Sequence, residues 1–344
     1  MKRHVNIPIF IPHLGCPNQC VFCNQKTISG VDKFDISKVE DDIESALETI
    51  CRDTNIEIAF FGGSFTGIDR DLMEELLKVG YKYIECGKVK SIRCSTRPDY
   101  INKDILDTLK KYGVRTIELG LQSSNDKVLS LTKRGHTFFD ELNACRMIVD
   151  AGFELVGQMM IGLPGSTVED EMKTAEFIVS VGASAARIYP TVVFRDTELC
   201  DMALSGTYDP IMLDDAIERS ARVLQYLLDN NVKVIRIGLC ASENLADEEK
   251  YFAGPNHPAL GELVESRLYF NKIIDLISAT DVYTNGILIV SVAVGCLSKV
   301  IGQKKINKER IMQKFAYSDV KFKEDAGLST YEVEIKQERK RKCI

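Results

Sequence analysis

No long hydrophobic run occurs in this chain of 344 residues. The longest, residues 287–294, is about half of what a membrane-crossing helix needs, and its β-branched residues suit a buried strand. No membrane partner is therefore expected. No secretory leader is expected either, because Pro8 and Pro12 cut the apolar stretch near the N-terminus. Neither an internal repeat nor a low-complexity segment is present, which excludes repeat arrays and compositionally biased tracts. Also lacking is a regular cysteine framework. Eleven cysteines, an odd number scattered through a large chain, fit reduced thiols rather than a disulfide scaffold, and the protein is expected in the cytoplasm.

What remains is an ordinary globular composition with an uneven charge. The hydrophobic content of 45% supports a real core, and the length allows one large α/β barrel or two domains. Net charge is −6, yet from Lys299 onward 13 Lys and Arg stand against 7 Asp and Glu. The chain ends in a basic tail, Arg339-Lys-Arg-Lys342. Such a patch can meet a phosphate backbone, as tRNA would offer, or be a solvated, frayed end; the residues leave both open.

Short β-rich runs alternate with longer amphipathic segments, the pattern of β-α units around a parallel sheet. Strands are expected over 6–12, 57–61, 91–95, 116–119, 154–160 and 185–189. Helices are expected over 38–50, 70–85, 103–112, 126–131, 138–151 and 168–181, the last capped by Thr167. Six such units in about 190 residues predict a partial (β/α)6 barrel of the TIM type rather than a full eightfold one. After Pro190 the pattern changes to a helix over 212–230, a strand over 232–237 and a Gly/Pro/His loop over 253–261. A small C-terminal α/β extension follows, with a strand over 286–293, a helix over 308–315 and a strand over 330–336. The expected division is 1–270 for the core and 271–344 for the extension.

The most informative cluster is Gly15-Cys-Pro-Asn-Gln-Cys-Val-Phe-Cys-Asn24. Cys16, Cys20 and Cys23 offer three thiolates where a cubane iron-sulfur cluster needs four, which leaves one iron free to bind a small molecule. A structural zinc site completed by His13 and a chance cluster of free thiols are the competing readings. Further clusters fall at expected strand ends, where barrels and open α/β sheets collect ligands. In Phe60-Phe-Gly-Gly-Ser-Phe-Thr66, Gly62 and Gly63 either let backbone carbonyls approach a ligand amine or form a tight turn. Glu118-Leu-Gly-Leu-Gln-Ser-Ser-Asn125, Lys133-Arg-Gly-His136 and Gln158-Met-Met-Ile-Gly-Leu-Pro-Gly165 carry amides and a guanidinium. Taken singly, Gln122 and Gln158 could be satisfied polar residues and Arg134 a surface ion pair. In Ser95-Thr-Arg-Pro-Asp99, Arg97 could face an anionic substrate or pin its own loop through Asp99.

The CxxxCxxC spacing, with Phe22 before the last cysteine and a Gly-Gly motif about 40 residues later, resembles the signature of the radical S-adenosylmethionine (radical SAM) enzymes. The later stretches, Arg187-Ile-Tyr-Pro-Thr191, Arg236-Ile-Gly-Leu-Cys-Ala-Ser-Glu243, Gly254-Pro-Asn-His-Pro258 and Gly261-Glu-Leu-Val-Glu-Ser-Arg267, resemble bacterial Elongator-catalytic-subunit-like members. The likeness covers roughly residues 4–270. It implies a 4Fe-4S cluster on Cys16, Cys20 and Cys23, with S-adenosylmethionine bound to its open iron and cleaved to a 5′-deoxyadenosyl radical that abstracts hydrogen from a substrate. It further implies that Gln122 meets the ribose or methionine part, Arg134 the methionine carboxylate and Gln158 the ribose hydroxyls. Phe22, Gly62, Gly63, Thr96 and Gly162 complete the cofactor-binding set. An external electron donor of the flavodoxin or ferredoxin kind goes with such chemistry.

Two features depart from the Elongator pattern. Ser95 stands where that pattern has an acidic residue, and about 75 residues after the shared region leave no room for an acetyltransferase domain. The substrate therefore stays open between a tRNA base and a small, porphyrin-type molecule like that of oxygen-independent coproporphyrinogen oxidase. A non-catalytic metal-binding RNA-interaction module is the remaining alternative. His257 reads as a loop hydrogen-bonder rather than a base, and Cys240 as a small buried hydrophobe rather than a hydrogen donor, by the usual behaviour of these residues.

Overall fold

Parallel strands that follow one another in the chain build the main sheet. The computed structural model describes residues 3–11, 20–24, 34–51, 53–239, 249–281 and 285–338. In it β1 (Arg3–Phe10), β2 (Thr54–Phe61), β3 (Ser91–Thr96), β4 (Val114–Gln122), β5 (Glu154–Ile161) and β6 (Ala185–Pro190) pair in sequence order, each parallel to the last. This is the expected partial (β/α)6 barrel. The change of pattern after Pro190 does not end the sheet, however. A short β7 (Val193–Phe194) intervenes, and β8 (Lys233–Ile237) then pairs parallel with β6 as a seventh strand. β7 itself pairs antiparallel with β9 (Tyr251–Ala253).

Parallel neighbours need a crossover, and helices supply it. They are α1 (Val39–Thr49), α2 (Arg70–Glu85), α3 (Lys103–Lys111), α4 (Asp126–Leu131), α5 (Phe138–Asp150) and α6 (Val168–Ser180), followed by α7 (Glu198–Leu204) and α8 (Leu213–Asp229). Their starts are written into the sequence as side-chain caps. Asp69 accepts from the backbone N–H groups of Asp71 and Leu72, and Asn102 accepts from that of Ile105. Thr137 and Thr167 each form a reciprocal capping box, with Asp140 and Asp170.

The strands alternate between two environments. Ile58, Ile92, Ile117 and Ile188 are fully buried, whereas the opposite parity carries Glu57, Arg93, Glu118, Gln158 and Arg187. Those polar residues bond to one another. Glu118, with no exposed surface, accepts from Arg93 Nη1 at 2.9 Å, Arg187 Nε at 2.6 Å and Nη2 at 2.9 Å, and Gln158 Nε2 at 3.1 Å. Glu57 accepts from Ser91 and Arg93. Burial alone would raise the Glu57 carboxyl, but Ser91 and Arg93 outweigh it and hold it below its ordinary range.

The chain separates into two compact units, one of Met1–Ala216 with Tyr226–Asn256 and one of Ile217–Gln225 with His257–Ile344. In the second, α9 (Leu260–Ser278) contributes Tyr269, Ile273 and Ile277 to a core shared with Leu288 and Val290 of β10 (Ile287–Val292). β10 lies between the parallel β11 (Asp319–Glu324) and the antiparallel β12 (Val333–Glu338). The helices α10 (Leu297–Ile301) and α11 (Ile306–Phe315) add Val300 and Ile311 to the same core. The strands expected over 286–293 and 330–336 and the helix over 308–315 correspond to β10, β12 and α11. α9 and β11 were not foreseen.

Candidate cofactor site

The carboxyl ends of β3 and β4, the turn after α4 and the cysteine segment meet around one sulfur atom. Cys20 is buried, and the backbone beyond it is fastened on both sides: Val21 N–H donates to Thr132 O at 3.2 Å, and Val21 O accepts from Leu199 N–H at 2.8 Å. A turn from Cys20 O to Cys23 N–H, 2.9 Å long, brings the two thiols onto one loop. Phe22 packs beside Val193, Leu199 and Tyr208. Cys16 lies outside the described residues, as do His13, Cys240, Glu243 and the basic run 339–342.

Two guanidinium groups face Cys20 Sγ, Arg134 Nη1 at 3.3 Å and Arg97 Nη1 at 3.8 Å. Arg134 lies within a turn, between Lys133 and Gly135, which both have positive φ, and its Nη2 donates to Gly120 O. Arg97 grips Asp99 with Nε and Nη2, at 2.9 and 3.0 Å, so the loop-pinning reading of that residue is the one the structure bears out. Burial pushes the Asp99 carboxyl up, but the neighbouring His136 and Arg97 outweigh it and hold it well below the usual carboxylate range.

Gln122 ends β4 at a register shift opposite Met159, with φ of +72°. A side-chain carbon placed on Gly120 would stand 3.0 Å from Gln122 Nε2 and 3.4 Å from Arg134 Nη2, so the amide and the guanidinium straddle that glycine. Here two buried polar atoms, Gln122 Oε1 and Arg134 Nε, have no hydrogen-bond partner among the described residues. Leaving such a group unsatisfied costs about 1–3 kcal/mol. An acceptor and a cationic donor held side by side next to a cysteine sulfur suit the ammonium, carboxylate and hydroxyl groups of S-adenosylmethionine bound at a thiolate-held cluster.

The other expected cofactor contacts are placed as follows. Gly62, with φ of +101°, makes room for chain rather than side chain: an added carbon would lie 3.0 Å from Ile11 N and 3.1 Å from Ile11 O. Gly63 follows it, partly exposed. Thr96 is buried in a hydroxyl cluster, 2.9 Å from Ser64 Oγ and 2.6 Å from Thr66 Oγ1. Gln158 donates to Glu118, away from the Gln122–Arg134 pair in bonding terms. Gly162 is fixed by Glu171, which accepts from its N–H at 2.7 Å, and by Tyr208, whose hydroxyl donates to its carbonyl at 2.7 Å; an added carbon would meet Ile211 at 2.8 Å. Arg236 donates to Gly238 O and Leu239 O just past its own strand, and His257 Nδ1 accepts from Ala259 N–H at 3.1 Å, a loop role. Arg267 pairs with Glu218 at 2.8 Å.

Sequence reasoning passed over the partners behind Arg97. His136 is buried between carboxylates, with Nε2 3.0 Å from Glu141 Oε1 and Nδ1 3.7 Å from Asp99 Oδ1. Burial pushes the Glu141 carboxyl up to about 7, against the opposing His136. The available signal was the position of His136 immediately before the capping residue Thr137, which sets it against the first turn of α5, where Glu141 stands.

A family model described as the radical SAM superfamily matches residues 10–178, and a Radical_SAM C-terminal domain model matches residues 183–269. The chain belongs to the radical SAM superfamily. The cofactors that go with this superfamily are a 4Fe-4S cluster and S-adenosylmethionine. Among relatives of this radical SAM chain, an uncharacterized protein of Methanocaldococcus jannaschii is 28% identical over 238 residues, covering 66% of this chain and 73% of its own. The tRNA uridine(34) acetyltransferase of the same organism is 30% identical over 200 residues, 50% of this chain and 36% of that one. Elongator complex protein 3 of Saccharomyces cerevisiae is 27% identical over 189 residues, 49% and 34% of the two chains. The chain thus spans about a third of the length of the latter two relatives. An archaeal Elp3 from Methanocaldococcus infernus, solved with an N-terminal deletion, superposes with a TM-score of 0.63 at 22% identity, covering 79% of this chain and 64% of that one, and so has the same fold. No helix among the described residues is long and apolar enough to cross a membrane.

Proposed function

We propose that the protein is a radical SAM enzyme that abstracts hydrogen from a base in tRNA. The observation that carries the enzymatic part is a pair of buried atoms beside Cys20 Sγ, Gln122 Oε1 and Arg134 Nε, that have no partner among the described residues. Cys16, Cys20 and Cys23 would hold the cluster. When bound, the cluster and S-adenosylmethionine supply one electron and the radical that follows reductive cleavage of the sulfonium. The protein's own part is binding and exclusion of water. Arg134 offers its spare N–H to the methionine carboxylate, and Gln122 offers its amide oxygen to the ammonium or a hydroxyl. Gln158, steadied by Glu118, accepts from the ribose. Phe22, Gly62, Gly63, Thr96 and Gly162 shape the walls, the glycines by keeping the strand ends close-packed.

The tRNA substrate is supported by the printed names of the relatives, tRNA uridine(34) acetyltransferase and Elongator complex protein 3, and by the basic tail. A flavodoxin- or ferredoxin-type donor in the cytoplasm would deliver the electron. The test is anaerobic reconstitution with iron and sulfide, followed by dithionite and S-adenosylmethionine. 5′-Deoxyadenosine should form, and Cys20→Ala should abolish it. A full cluster with no such product in the wild-type protein would overturn the reading.

A further inference from the structure

We propose that Arg97 is a positioning residue for the cluster's cysteine: anchored from behind by Asp99, His136 and Glu141, it holds a second guanidinium against Cys20 and raises the reduction potential of the cluster. This rests on the radical SAM reading given above. The geometry is a continuous chain, buried at Glu141, His136 and Arg97 and partly exposed at Asp99. Glu141 Oε1 lies 3.0 Å from His136 Nε2, His136 Nδ1 lies 3.7 Å from Asp99 Oδ1, and Asp99 takes both Nε and Nη2 of Arg97. Arg97 Nη2 also donates to the carbonyl of Arg134, so the two arginines are tied to each other. The third nitrogen of the Arg97 fork, Nη1, stands 3.8 Å from Cys20 Sγ, the sulfur that Arg134 Nη1 approaches to 3.3 Å.

A guanidinium bound through two adjacent nitrogens to a carboxylate cannot rotate freely, so its third nitrogen has a fixed direction. Arg97, Arg134 and His136 are all at least nine-tenths buried, so water screens this arrangement little. A donor and a positive charge fixed near a ligating sulfur draw electron density from it. They favour the oxidation state with the extra electron, which is the state from which S-adenosylmethionine must be reduced. Asp99 shows why the arrangement needs a chain behind it. Its carboxylate partly offsets the charge of Arg97, and its hold on Nε and Nη2 keeps that charge pointed at sulfur rather than at solvent. On the α5 side His136, whose Nε2 meets Glu141, stands 3.7 Å from Asp99 and forms the polar wall behind it. The role differs from that of Arg134, whose partnerless Nε marks it for the cofactor itself.

The test is the midpoint potential of the reconstituted cluster, followed by the electron paramagnetic resonance signal of its reduced form in a mediator titration. Arg97→Met keeps an unbranched apolar stem and removes the donors and the charge. With wild-type iron content it should shift the midpoint to more negative potential, so that the reduced fraction at one fixed poise falls severalfold. Arg97→Lys should recover part of the shift. Should Arg97→Met fail to take up iron, Arg97→Gln, which also removes the charge, decides by a shift in the same direction. An intact cluster at the wild-type midpoint in Arg97→Met, or in Arg97→Gln where that variant decides, would overturn the inference while leaving 5′-deoxyadenosine formation, and so the enzymatic reading, standing. A wild-type protein that forms no reducible cluster would remove both.

Discussion

Gln122 and Arg134 are polar side chains that the fold buries without finishing their hydrogen bonds, and at the scale of single residues the site is defined by what they still lack. A charge-assisted bond is worth about 1.5–3 kcal/mol, so Arg134→Gln should weaken S-adenosylmethionine binding roughly tenfold to a hundredfold in calorimetry on protein of unchanged iron content. Glu141 predicts a pH effect. Its folded carboxyl titrates at about 7 instead of the ordinary 4.5, so the folded state binds that proton more tightly than the unfolded chain does. The stabilisation is fully present below about pH 4.5 and is lost as pH rises toward about 7. Urea midpoints at about pH 5 and about pH 7.5 should therefore differ less in Glu141→Gln than in the wild type. Gln122 and Arg134 could be read from motifs because each sits in a short signature. Arg97 could be read only as far as two alternatives, and Glu141 not at all, because its place depends on α5 packing beside the loop after β3.

At the scale of elements, local chemistry decided what the sequence revealed. The helices over 70–85 and 126–131 were legible to the residue, since Asp69 and Asn125 cap them. α9 was not foreseen because Asn256, His257, Pro258 and Gly261 crowd its start and its buried residues run all round it. β11 was hidden by Lys321 and Lys323, which alternate outward from Val320 and Phe322. Glu57, Arg93, Glu118 and Arg187 were invisible as a layer because only the register of the strands brings them together. Two element-level outcomes follow. Thr167→Ala removes half of a capping box and should lower unfolding free energy by about 1 kcal/mol in urea titration. Glu118→Leu leaves Arg93 and Arg187 buried without their shared carboxylate and should cost about 3–5 kcal/mol in the same measurement.

For the whole molecule, charge is the property that reaches beyond the barrel. The chain is acidic as a whole and basic toward its end, a distribution that lets a polyanion approach one part preferentially. Trimming residues 339–344 removes four cations and leaves β12 intact. If each meets a phosphate, the slope of log affinity for tRNA against log salt should become shallower by roughly 3. Filter binding between low and physiological salt reads this directly, and an unchanged slope would assign RNA contact elsewhere.

The left-handed backbone of Gln122 sets two selections against each other. Such a conformation costs a residue other than glycine about 1–2 kcal/mol, so Gln122→Gly should relax β4 where it bends. Variants sorted only for heat tolerance would accept that change early, and variants sorted for retention of S-adenosylmethionine would reject it.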